Sequence, residues 1–153
     1  MHEVHRSAIV PYSANTMFDL VADVNAYAEF VPWCSDARVL SGPEPVGSES
    51  AAEIQQLVAR LGVSQGLLTG HFTTCNRMQR PHVIDMTLVE GSFRELEGRW
   101  RFESLGEAGC ELDLTMRFAF SSAIQDLLFG RMFEDSCSKL VDAFAERAHS
   151  VYG

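Results

Sequence analysis

The sequence predicts an α+β fold in which a curved antiparallel sheet wraps a long C-terminal helix. Three observations predict it. Apolar residues alternate with charged ones along two stretches, 95–103 and 110–120, joined by a glycine-rich turn; the period changes from two to about 3.6 beyond Ser121; and the order along the chain is strand, short helices, a run of strands, then one long helix. One helix covers a large sheet only if the sheet curls around it. The space between them, lined by long apolar side chains, is the natural site for a ligand. With 153 residues, 46% hydrophobic and 22% charged, the chain has enough apolar surface for one core, so a single domain over 1–153 is expected.

Glu3 to Val10 alternates loosely, and Pro11 then Ser13 end the extended run and supply an N-cap. Met17, Leu20, Val21 and Val24 then fall at i, i+3, i+4 and i+7, one face of a short amphipathic helix. Asn25 to Pro32 reads as a further helical turn, ended by Val31 before proline. Asp36 to Leu40 is extended and is punctuated by Ser41-Gly42-Pro43-Glu44-Pro45. Glu49 to Leu61 is read as a strand that Gly62 closes within hairpin distance of Leu67 to Cys75.

The second half is clearer. Leu96, Trp100 and Phe102 alternate with Glu95, Glu97, Arg99, Arg101 and Glu103, and Gly106-Glu107-Ala108-Gly109 makes the turn. Cys110, Leu112, Leu114, Met116, Phe118 and Phe120 repeat the alternation, so the two stretches form an antiparallel hairpin. On a helical projection Phe133, Cys137, Leu140, Val141, Phe144, Ala148 and Val151 share one face, opposite Asp135, Lys139, Asp142, Glu146 and His149. Ile124, Leu127 and Leu128 lie nearly opposite that apolar face, with Gly130 between the two sets. The expectation is a break near Gly130, a separate turn over Ile124 to Phe129, and a long helix from Arg131 to Tyr152.

A net charge of −9 sets the mean field against polyanions. The start of the chain has neither a basic n-region nor an apolar h-region, which makes a cytoplasmic location the expectation. Cys34, Cys75, Cys110 and Cys137 are widely separated, with no C-x-x-C and no close histidine partner in the spacing that a zinc site needs, so free thiols and no metal are expected. His5, His71 and His82 sit in no nucleophile, metal or phosphate motif and read as surface or strand residues; no catalytic residue is assigned and no enzyme is expected.

Three stretches resemble the coenzyme Q-binding and ribosome-association toxin family, a branch of the START-like, polyketide-cyclase-related helix-grip proteins. The first is Val10-Pro11-Tyr12-Ser13-Ala14 with Met17 to Val24 and Tyr27, Phe30, Val31, Pro32, Trp33 and Cys34. The second is Gly91, Phe93-Arg94, Leu96, Gly98 and Trp100. The third is Phe129-Gly130, Phe133, Val141, Ala143-Phe144, Arg147-Ala148 and Tyr152-Gly153. Ala28 and Ser92 stand where the family often has proline, and 51–76 matches least, so no pocket residue is carried over from there. The resemblance implies a helix-grip (START-like) fold, with two short helices after the first strand, and a cavity associated with ubiquinone or other polyprenyl lipids. It implies equally a toxin-like regulator that binds the large ribosomal subunit and blocks subunit association.

Tyr27, Phe30, Pro32 and Trp33 form an aromatic, proline-stiffened segment suited to wall or gate an apolar ligand. Trp100, Phe102, Met116 and Phe118 face inward on the hairpin, opposite Phe133 and Leu140 of the long helix. Phe93 lies beside Arg94, a cation suited to a quinone carbonyl or an acidic lipid head unless it pairs with Glu95 or Glu97. The expected function is non-catalytic carriage or chaperoning of a polyprenyl quinone, ubiquinone above others, for the respiratory chain, with transient inner-membrane contact and no other cofactor. The ribosome factor ranks second, because the charge of −9 opposes an rRNA partner. A polyketide cyclase or aromatase, which lacks a visible acid/base pair, ranks third.

Overall fold

The computed structural model describes residues 1–49 and 52–153. Seven strands form one antiparallel sheet: β1 (His2–Val10), β2 (Cys34–Glu49), β3 (Ala52–Gln65), β4 (Leu68–Gln79), β5 (Val83–Gly91), β6 (Phe93–Ser104) and β7 (Cys110–Phe120). Their order is β1-β7-β6-β5-β4-β3-β2, so every neighbouring pair except β1-β7 is consecutive in the chain. The two edges, β1 and β2, are joined through α1 (Ala14–Ala22) and a 3-10 segment, Val24–Glu29. The C-terminal helices α2 (Ala123–Cys137) and α3 (Leu140–Tyr152) pack on β1 and β7, and α3 also meets α1. Between helices and sheet lies a core built from Met17, Val21, Val24, Trp100, Leu112, Leu114, Phe118, Phe133, Val141 and Phe144 among others.

The expected start of the fold is observed. Ser13 caps α1 by accepting a bond from the Thr16 amide at 3.1 Å, and Met17, Leu20, Val21 and Val24 are buried. The helical turn after Asn25 is the 3-10 segment, held to β2 where the Val39 amide donates to Asn25 Oδ1 at 2.9 Å. The β6–β7 hairpin has the expected alternation, with Trp100 opposite Leu114 and Phe102 opposite Leu112.

Four expectations need correction. The punctuation at Ser41 to Pro45 does not end β2; it is absorbed as register shifts between Val39 and Gly47, where the strand bends. β3 runs through Gly62 to Gln65 and turns at Gly66, which has φ +59°. Gly62 instead lets β2 come close, since a Cβ there would lie 2.6 Å from Ser35 Oγ. The expected strand from Glu49 included Ser50 and Ala51, which lie outside the described residues.

The third correction concerns Gly130. It does not break the helix: α2 continues through it, and the interruption comes at Ser138 and Lys139. There the Lys139 amide bonds Ser136 O, an i−3 acceptor, and Ser138 Oγ donates to Asp135 O at 2.6 Å, competing with the helical ladder. Gly130 is small because β1 needs the space. A Cβ there would lie 2.1 Å from Nε2 of His2, whose ring stacks on Phe118 with centroids 5.0 Å apart. Ile124, Leu127 and Leu128 therefore belong to a continuous helix and point into solvent, 71%, 84% and 64% exposed. In the fourth correction, Val151, expected on the apolar face, is exposed in the last helical turn.

Candidate functional site

Inward residues of β3 to β7 converge beneath the 3-10 segment and α3, where they enclose a cavity of about 40 Å3. Tyr27, Trp33, Trp100, Met116 and Leu140 line it, together with Val24, Val31, Ala59, Leu61, Phe72, Met86, Leu96 and Phe144. The wall has one polar spot. Thr74 and Asn76, on the inward face of β4, are 2% and 4% exposed, and Thr74 Oγ1 donates to Asn76 Oδ1 at 2.8 Å. Among the described residues the lining also holds a buried donor without a hydrogen-bond partner, the indole Nε1 of Trp33.

The roof is rigid. Tyr27 donates its hydroxyl proton to Val21 O, and burial first, then the Asp23 charge, push its phenol well above the usual range. Its ring packs edge-on against Phe144 at 5.3 Å, and Trp100 meets the same phenylalanine at 5.0 Å. Phe30 is half-buried on the outer side of this cluster, 4.9 Å from Phe144 and beneath the guanidinium of Arg147. Pro32 is exposed.

The remaining sequence candidates have other surroundings. Phe93, Phe118 and Phe133 form an aromatic cluster with Phe120 at the α2 end, with Phe93 4.6 Å from Phe120 and Phe118 5.2 Å from Phe133; it adjoins the cavity wall through Trp33, 5.1 Å from Phe133, and Phe72, 5.3 Å from Phe93. Phe102 packs edge-on against Phe18 at 5.4 Å. Arg94 is exposed on the other side of β6 from the cavity and, among the described residues, pairs with neither Glu95 nor Glu97. The cavity thus unites five of the twelve candidates and leaves seven outside it. Thr74 and Asn76 were missed because hydrophobic periodicity does not register polar residues that point inward.

Other reactive groups are muted. All four cysteines are free, and burial pushes the Cys34, Cys110 and Cys137 thiols up, away from the reactive thiolate. His5, His71 and His82 are exposed, with His5 2.8 Å from Asp113 Oδ2. Among the described residues no cluster of three or more His, Cys, Asp or Glu side chains is arranged to hold a metal, and no helix is long and apolar enough to cross a membrane.

The sequence from residue 10 to residue 145 matches the family model described as polyketide cyclase / dehydrase and lipid transport. The chain belongs to this family. It is 41% identical over 153 residues to the ribosome association toxin RatA of Vibrio cholerae, an alignment covering 100% of this chain and 99% of that one. It is 30% identical to the mitochondrial coenzyme Q-binding protein COQ10 homolog B of Xenopus laevis, covering 99% of this chain and 59% of that protein. A START superfamily protein from Mycobacterium smegmatis superposes with a TM-score of 0.77 at 20% identity, covering 99% of each chain, which shows a START-like fold.

Proposed function

We propose that this family member binds the large ribosomal subunit in the cytoplasm and blocks its association with the small one, acting through its surface without catalysis. This reverses the order expected from sequence. The observation that carries it is the size of the cavity. About 40 Å3 has room for water, whereas a small-molecule site occupies roughly 300 Å3 or more, so this cavity has no space for a quinone ring and tail. Full-length identity of 41% to a ribosome association toxin supports the same reading, against 30% to a coenzyme Q-binding protein. Purified protein mixed with separated ribosomal subunits should co-sediment with the large one and lower the yield of joined particles. Sedimentation at the top of the gradient at every salt concentration would refute the proposal.

A second reading, carriage of a hydrophobic ligand such as a polyprenyl quinone, is favoured by one observation. Trp33, which lines the largely apolar cavity, carries a buried indole N–H without a partner, a donor suited to a ligand carbonyl whose desolvation otherwise costs about 1–3 kcal/mol. Such a ligand would have to lift the Tyr27 segment or α3. Organic extraction of protein purified from its own host tests this reading, because a carrier should bring a stoichiometric lipid with it.

A further inference from the structure

The negative charge of this chain is not evenly spread. On β2 and β3, Ala37, Val39, Ala59 and Leu61 turn toward the core, so the alternating residues Arg38 and Arg60 emerge on the outer face. The two are direct cross-strand partners. Their Cβ atoms are therefore about 4.5–5.5 Å apart, a spacing at which like charges destabilise a sheet. On neighbouring β4 a third arginine, Arg77, is exposed opposite Gln56, four residues along β3 from Arg60.

Among the described residues Arg6, Arg94, Arg101 and Arg131 are, like these three, without a carboxylate partner, but only Arg38 and Arg60 are set directly opposite one another on paired strands; the other four arginines are neutralised. Arg80 is bound to Asp19 at 2.6 Å, Arg99 to Asp85 at 2.5 Å, Arg117 to Glu3 and Glu97, and Arg147 to Glu29. Among the described residues, no carboxylate lies within 4.0 Å of Arg38, Arg60 or Arg77. Besides Asp85, the nearest acids in the ladder are Asp36, two residues before Arg38, Glu90, beyond Thr73 on β5, and Glu44, beyond Gln56 on β2. Asp85, opposite Arg77, is taken by Arg99.

We infer that Arg38 and Arg60, extended by Arg77, form a phosphate-binding strip through which this chain contacts ribosomal RNA, an inference that rests on the ribosome reading above. Two adjacent guanidinium groups present planar, bidentate donors to one phosphodiester, and the phosphate relieves their mutual repulsion. The net charge of −9 then acts as selection, limiting RNA contact to this strip and keeping the rest of the surface away from the polyanion.

The test compares three variants of the full chain with wild type by co-sedimentation with large ribosomal subunits over a salt series. Arg38→Gln/Arg60→Gln should bind at least tenfold more weakly. Its log-log salt slope should flatten by about 0.7–0.9, the change for loss of one phosphate contact. Its melting temperature should be no lower than wild type, since a repulsive pair has been removed. Arg6→Gln/Lys139→Gln, which removes the same charge elsewhere, should bind like wild type. If wild type binds and the Arg38/Arg60 variant binds equally well, the strip is refuted while the ribosome reading stands. Loss of binding instead in Leu127→Ser/Leu128→Ser would give the contact to the apolar face of α2 and overturn the strip in favour of a ribosomal protein. Failure of wild type to co-sediment overturns both.

Discussion

Asn76 shows at the scale of one residue how a buried polar group couples packing to function. Its Oδ1 accepts from Thr74, so the two must be changed together to separate hydrogen bonding from burial. Asn76→Leu alone strands the Thr74 hydroxyl and should destabilise by about 1–2 kcal/mol on urea unfolding. Thr74→Val with Asn76→Leu removes both polar partners and should return stability to wild type or above it. A double variant less stable than the single one would mean that an ordered water, not desolvation, dominates this site.

Asp126 is the second informative residue. Its Oδ1 accepts from the Phe120 amide at 3.0 Å and its Oδ2 from His2 at 3.1 Å. His2 Nδ1 faces Glu134 Oε1 at 3.2 Å, so the ring meets both carboxylates as a donor only when doubly protonated. The Phe120 bond foremost, aided by His2, holds the Asp126 carboxyl below its usual range. A depressed folded value stabilises above the unfolded carboxylate pKa, near 3.9, and that stability disappears as the pH falls through the folded value. The difference in melting temperature between wild type and Asp126→Asn should therefore be full above about pH 4 and close below it. A difference constant down to pH 2 would refute the assignment.

At the scale of elements, the β6–β7 hairpin and the inner face of α3 were legible because each carries many repeats of one period and packs against the core as that period demands. The position of the helix break was not. A glycine inside a helical pattern reads locally as a weak point, yet the reason for Gly130 is an imidazole from the first strand, a contact that local sequence cannot reveal. This supports a prediction of unusual sign. Gly→Ala inside a helix ordinarily stabilises by about 1 kcal/mol, but here the added methyl meets His2, and Gly130→Ala should destabilise by about 1–3 kcal/mol. Adding His2→Ala should restore the ordinary sign, so that Gly130→Ala stabilises in that background. Thermal unfolding of the four combinations reads the coupling directly, and additive effects would show that His2 is not the obstacle.

At the scale of the whole molecule, the grip was foreseeable from the order of periodicities, whereas its interior was not. Aromatic side chains expected to surround a ligand instead pack on one another at the α2 end, because Phe93, Phe118, Phe120 and Phe133 interlock there and occupy the volume. What is left is a small cavity under the roof and, on the outer face of β2 to β4, exposed Arg38 and Arg77 with half-buried Arg60 between them. Ala59 and Leu61 face the cavity while Arg60 between them faces outward, so one strand serves two faces without sharing a side chain. The faces should therefore fail independently. Met116→Glu introduces a carboxylate into the apolar lining, where an ionised group is heavily penalised. In protein that remains folded by circular dichroism, it should abolish any quenching of Trp33 and Trp100 by a short-chain ubiquinone and leave co-sedimentation with large ribosomal subunits within about twofold of wild type. That bound is less than 0.5 kcal/mol, the size expected for sites without shared partners. If folded Met116→Glu loses ribosome binding as completely as the paired arginine variant, cavity and outer face act as one site, and a ligand in the grip would then govern attachment to the ribosome.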